Sequence, residues 1–274
     1  MKQYVDLLIM PRWIIPVEPP GVLSEHAVTV KDGVIVDILP VMDAHQRYQA
    51  DEVLELPGQV LIPGLINLHS HSAMTMMRGF ADDLPLMQWL QHYIWPAEKQ
   101  YLSEEFVRDG TLLAAAEMLA GGTTCCNDMY FFPQIAAEAY LEAGMRATLG
   151  MIVLEFPSAY AADADGYLAR GLSIRDTLKD EPLLSFSFAP HAPYTISDET
   201  YRRIATLSDQ LGLPIHTHIH ETADEIQHSL TRYGVRPLER LAQLGLLGPH
   251  FIGVHAVHLT DAEIDTLAQF NCHI

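Results

Sequence analysis

Residues 61–80 read LIPGLINLHSHSAMTMMRGF, an apolar run broken by Pro63-Gly64 and Asn67 that closes on His69 and His71. Side chains alternate across a β-strand, so two histidines two residues apart share one face of whatever strand the run forms. Taken alone, such a pair is usually structural. Its meaning depends on what other strand ends carry.

Five further apolar stretches also end in polar residues: TTCCNDMY (123–130), RATLGMIVLE (146–155), LLSFSFAPHA (183–192), PIHTHIHE (214–221) and FIGVHAVHL (251–259). Between them lie helix-like segments. In SEEFVRDGTLLAAAEMLAGG, Ser103 ahead of Glu104-Glu105 predicts a capped start and Gly121-Gly122 a stop. PQIAAEAYLEAG, SDETYRRIATLSDQLG and TDAEIDTLAQF read the same way. Strand then helix, repeated, predicts parallel strands with right-handed crossovers. A doubly wound sheet would bind at one switch point, usually through a glycine-rich loop, and neither GxGxxG nor GxxxxGK[ST] occurs. Polar groups at many strand ends instead predict an α/β fold of the (β/α)8 barrel type, with its chemistry on the C-terminal face.

Six barrel strands are readable, and Cys272-His273-Ile274 reads as the start of a seventh, so the barrel is expected to be incomplete in residues 60–274. Residues 1–59 differ in texture. VDLLI, AVTVKDGVIVDIL and DEVLELPGQVLIPG are rich in Val, Ile and Leu, and Asp32-Gly33 signals a tight hairpin. They predict a small N-terminal β-sandwich part that a C-terminal tail would complete.

Composition narrows the class. The 274 residues carry 16 Lys+Arg against 35 Asp+Glu, a formal net charge of -19 that disfavours nucleic-acid polymers and anionic membrane surfaces as partners. Asp6, Arg12 and two prolines interrupt the apolar start, and no run reaches the roughly 18 residues of a membrane span. Three cysteines, two of them adjacent, make no disulfide framework. A soluble, cytoplasmic protein without a signal peptide is expected, and a homo-oligomer is compatible with this composition.

The histidines carry the chemistry. His216, His218 and His220 lie on one face of a single strand, followed at once by Glu221, and three buried imidazoles would each need a partner if they served packing alone. His191 and His255 add strand-end imidazoles elsewhere. Four strand ends bearing histidine suggest a converging metal site, although parity cannot choose among the three histidines of 216–220.

PGLINLHSHSAMTMMRGFADDLPLMQWL, GGTTCCNDMY, HTHIHETADE and GVHAVHLTDAEI together resemble the amidohydrolase superfamily, in particular the branch of 5-methylthioadenosine/S-adenosylhomocysteine deaminases and triazine chlorohydrolases. The resemblance extends from about residue 1 to the end. It implies that His69, His71 and His218 are ligands of one Zn2+ per subunit, with Fe2+ compatible with the same donors. It implies Glu221, three residues after His218, as a proton shuttle and substrate contact, and His255 as the group orienting the attacking water or the developing oxyanion. His258 is read as a surface residue or as one that supports the site from behind. The resemblance also implies a further ligand, an Asp after an eighth strand, which residues 1–274 do not supply; Asp128 reads better as a supporting carboxylate than as a substitute.

The activity implied is hydrolytic deamination of a small-molecule nucleoside, whether 5-methylthioadenosine, S-adenosylhomocysteine or adenosine, to the inosine analogue and ammonia. Glu98 matches a position contacting ribose hydroxyls, and His191 one near the base or sugar. Trp89, Trp95 and Met74, Met76 and Met77 are candidates for an apolar wall that accepts a thioether. Where some relatives carry arginines that pair with a homocysteine carboxylate this chain has Met151, and Arg170 and Arg175 read as solvated. Competing readings are a guanine or cytosine deaminase, a triazine chlorohydrolase, or a metal-binding homologue without catalysis.

Overall fold

The computed structural model describes residues 2–274, and the chain divides into two units, Met1–Gly64 and Leu65–Ile274. In the first, β1 (Gln3–Ile14), β2 (Leu23–Ser24), β3 (His26–Lys31), β4 (Val34–Pro40), the short helix α1 (Val41–Arg47) and β5 (Tyr48–Leu61) follow in order. β1 pairs antiparallel with β2 and β3 and parallel with β5. The strands form one five-stranded sheet where the sequence suggests part of a sandwich. Asp32 and Gly33 turn β3 into β4 with φ of 50° and 75°, the pair of positive values that a two-residue type I′ hairpin requires. Val5, Leu8, Ala27, Leu39, Ala44 and Tyr48 form this unit's core.

The boundary expected at 59/60 falls inside β5. That strand continues to Leu61 because Val60 and Leu61 still pair with Trp13 and Ile14. Residues 60–64 therefore belong with the small sheet.

The second unit is a six-stranded parallel sheet in sequential order: β6 (Leu65–Ser70), β7 (Thr123–Tyr130), β8 (Arg146–Val153), β9 (Leu184–Pro190), β10 (Ile215–Ile219) and β11 (Phe251–His255). After β6 come a 3₁₀ turn (Ser72–Met77) and helices α2 (Leu86–Trp89), α3 (Trp95–Tyr101) and α4 (Glu104–Ala120), with one π-helical turn (Leu90–Ile94) between α2 and α3. The remaining crossovers use α5 (Pro133–Ala143), α6 (Ala164–Leu178), α7 (Asp198–Leu211), then α8 (Ala223–Tyr233) with α9 (Pro237–Gln243), and α10 (Asp261–Gln269) follows β11. Every residue of β10 is buried, as expected of a parallel strand covered on both faces. Beyond α10, Ile252 bridges His273 in parallel, with His273 N–H donating to the Phe251 carbonyl at 2.9 Å. Among the described residues, no helix is long and apolar enough to cross a membrane.

Candidate metal centre

Because the six strands run in parallel, their C-terminal ends lie on one side, and the residues that end them decide what meets there.

 His69 sits one residue before the end of β6 and His71 just beyond it, His218 lies in β10, and His255 is the last residue of β11.

The structure brings these four imidazoles together. One ligand-capable atom from each of His69, His218 and His255 lies within 4.8 Å of the others. His218 Nε2 stands 3.3 Å from both His69 Nε2 and His71 Nε2. Backbone carbonyls settle two tautomers. His71 Nδ1 donates to the Met129 carbonyl at 2.6 Å, and His218 Nδ1 donates to the His191 carbonyl at 2.7 Å. A carbonyl only accepts, so both Nε2 atoms carry bare lone pairs, and at 3.3 Å these cannot bond to each other. Neutral imidazoles with Nδ1–H anchored to carbonyls and Nε2 converging are the donor set that zinc takes, so these residues fit a divalent metal.

His216 stands behind His69. It is fully buried, and its Nε2 lies 3.0 Å from His69 Nδ1. For His69 Nε2 to serve as a ligand, His69 must donate its Nδ1–H to His216, which leaves a proton on His216 Nδ1, an atom without a partner. His220 turns away altogether. Its Nε2 accepts from the Leu238 N–H at 3.0 Å and its Nδ1 donates to the His258 carbonyl at 3.2 Å. The three histidines that parity leaves equivalent are thus separated by their partners: one faces the centre, one backs a neighbour and one is a satisfied core residue.

Burial lowers every imidazole here. His69 falls to about 2, helped by its histidine neighbours, and His191 and His216 fall to about 3. His71, His218 and His255 move the same way from the same principal cause. The rings are therefore neutral at pH 7, the state a metal ligand needs.

Glu221 lies beside the cluster, with an oxygen 3.5 Å from His255 Nε2, and burial raises its carboxyl. Glu98 accepts from the Tyr130 hydroxyl at 2.8 Å, and desolvation pushes it up to about 7 against that bond. His191 Nδ1 lies 3.2 Å from Thr195 Oγ1. His69, His71, His218, His255, Glu221, Glu98, Tyr130 and His191 line one cavity of about 1110 Å³, whose apolar wall includes Met74, Met77, Trp89, Ile94, Trp95 and Phe156.

Other residues fall elsewhere. Met76 is half-exposed outside this cavity, Met151 is buried in the core, Arg170 lies over the Tyr160 ring and Arg175 pairs with Asp176. Asp128 is buried and accepts from Ser72 N–H at 2.8 Å and from the Tyr140 hydroxyl at 3.1 Å, bracing the chain just after His71. His258 is exposed, and its carbonyl rather than its ring is used. Sequence reasoning missed His216 as the partner of His69, although parity had placed it on the right face. It also missed Tyr130 and the two carbonyls, for which no side-chain pattern gives a signal.

The chain is 47% identical over 274 residues to a 5-methylthioadenosine/S-adenosylhomocysteine deaminase from Saccharophagus degradans, covering 100% of this chain and 61% of that protein. Its structure matches that of an adenosine deaminase from Xanthomonas campestris with bound zinc at a TM-score of 0.97 and 48% identity, covering 99% of this chain and 62% of that one. An atrazine chlorohydrolase from Arthrobacter aurescens TC1, complexed with zinc, shares the fold at a TM-score of 0.89 and 19% identity, covering 98% of this chain and 65% of that one. The chain spans 61% of the length of the curated relative from Saccharophagus degradans. The amidohydrolase family profile matches residues 60–274, and the chain belongs to the amidohydrolase family.

Proposed function

We propose that this chain holds the metal-binding and proton-transfer groups of a hydrolytic deaminase acting on adenine nucleosides. The observation that carries the reading is the convergence of His69, His71 and His218 beside the Glu221–His255 pair in one cavity. In this reading the three histidines hold one zinc ion. A divalent ion held there would supply the Lewis acidity that makes water a nucleophile at neutral pH.

The chain's own residues do the rest. Glu221 takes a proton from the attacking water and delivers it to ring N1 of the adenine, which makes C6 electrophilic. His255, 3.5 Å from Glu221, orients the water and then faces the oxyanion as the water oxygen bonds to C6; the 6-amino group takes up a proton, the C6–N bond breaks and ammonia leaves. Glu98, held by Tyr130, accepts from ribose hydroxyls, and His191 lies near the base or sugar. The apolar wall suits a methylthio group. Arg78 is engaged by Glu117 and Lys99 is exposed, so neither is a preformed partner for an amino-acid carboxylate. Methylthioadenosine is therefore the preferred substrate in this reading.

The test is to incubate the zinc-loaded full-length protein with methylthioadenosine, S-adenosylhomocysteine and adenosine and to follow the absorbance change from adenine to hypoxanthine. Turnover is expected, with kcat/KM highest for methylthioadenosine. No change with any adenine nucleoside at saturating zinc would sink the reading.

A further inference from the structure

On a regular strand, His218 and Glu221 would face opposite ways, because three residues is an odd spacing. In this structure both line the same cavity. The switch occurs at His220, whose φ of +52° is left-handed, a conformation that non-glycine residues rarely adopt. That turn sends the His220 ring away toward the Leu238 amide and brings Glu221 round to the side of His218.

A strained turn persists only where its surroundings hold it. Here the holder is Glu225, whose side chain is 5% exposed. Its Oε1 accepts from the His220 N–H and its Oε2 from the Glu221 N–H, both at 2.9 Å. Thr222-x-x-Glu225 reads in the sequence as an ordinary capping box, in which the third helical residue reaches back to the N-cap amide. Thr222 does cap α8, accepting from Glu225 N–H at 3.2 Å, but the Glu225 carboxylate spans the two residues before the cap. One oxygen is committed to each of the two peptide groups that flank the left-handed residue.

We infer that Glu225 is a positioning residue which, by clamping the backbone amides of His220 and Glu221, aims the Glu221 carboxylate at the metal centre. This inference rests on the assignment of Glu221 as proton shuttle. Glutamine in place of Glu225 would keep its length but turn a donor toward one of two donating amides. Aspartate would keep the charge but fall short of spanning both.

The experiment compares Glu225→Gln and Glu225→Asp with Thr222→Ala and Glu221→Gln in the zinc-loaded full-length protein. It measures kcat and KM for methylthioadenosine, zinc stoichiometry, and hydrogen exchange of the His220 and Glu221 amides. Both Glu225 variants are expected to bind zinc as the parent does, to hold KM within about threefold, to lose kcat by about ten- to a hundredfold and to exchange both amides faster. Thr222→Ala, which removes the helix cap and leaves the clamp, is expected to change neither kcat nor those two amides. A kcat within about threefold of the parent in either folded Glu225 variant, or an equal loss in Thr222→Ala, overturns the inference. If the parent shows no turnover, or Glu221→Gln retains it, the shuttle assignment fails instead; amide exchange then decides the clamp, with unchanged exchange in Glu225→Gln overturning it.

Discussion

Burial of imidazoles beside other imidazoles sets the pH response of the centre. His69, His191 and His216, at about 2, 3 and 3, refuse protons that the unfolded chain takes up below its ordinary histidine value of about 6.5. Their contribution to stability is therefore present above that value and is lost as pH falls. Glu98 and Glu225, pushed up to about 7, and Asp128, pushed up to about 6, act in the opposite sense, because burial favours their protonated forms. Their contribution is lost as pH rises out of the ordinary carboxylate range. The two sets oppose each other between about pH 4.5 and 6.5, and below about pH 4.5, where these three carboxyls are protonated in both states, the three histidines still favour the unfolded chain. The metal-free protein should lose stability steeply from about pH 4.5 to 3, by roughly 1.4 kcal/mol per pH unit for each such histidine. Urea midpoints measured with a chelator present check this, and a flat midpoint over that range contradicts it. At Glu221, replacement by Gln removes the proton acceptor while leaving the histidines in place. Zinc content should be unchanged and turnover should fall by roughly 10²- to 10⁴-fold; substantial activity would take Glu221 out of the proton path.

Helix ends were legible from short signals because capping is a local reaction of side chain with backbone. Ser103 accepts from Phe106 N–H at 3.1 Å at the start of α4, Ser197 caps α7, and Gly212 closes α7 in a left-handed conformation. The segment after His71 was not legible in this way. Its 3₁₀ turn is shaped by α4 packing beneath it, and Gly110 of α4 makes that contact possible: a Cβ there would lie 2.4 Å from the Ala73 carbonyl oxygen and 2.8 Å from Ala73 Cα. Both atoms are backbone, so neither can rotate aside. Gly110→Ala should destabilise the protein by about 1–3 kcal/mol, despite the better helix propensity of alanine, and weaken zinc binding by displacing the chain that follows His71. Thermal melting and a zinc titration of the variant measure the two effects. A melting temperature equal to the parent's would show that the contact is not tight.

At the scale of the molecule, a metal held by His69, His71 and His218 would tie the ends of two strands, β6 and β10, to one point, so binding and folding should be coupled. Zinc added to the chelated chain at a hundred times its dissociation constant is expected to stabilise it by about 2.7 kcal/mol. Calorimetry should show the melting temperature rising with zinc, and the rise should vanish when His69 and His218 are both replaced by Ala. What the sequence determined by itself was the period: apolar runs separated by capped helices specify parallel strands, and parallel strands put all their C-terminal residues on one side. That much placed His69, His71, the 216–220 histidines and His255 near one another without coordinates. Tertiary structure decided which histidine does what. His216, His218 and His220 have the same chemistry and the same parity, and they differ only in the groups the fold sets against them: the His69 ring, the His191 carbonyl and the Leu238 amide. The side on which Glu221 emerges was likewise a tertiary decision. It depends on the sign of φ at His220 and on a buried carboxylate four residues beyond Glu221, neither of which strand alternation can encode.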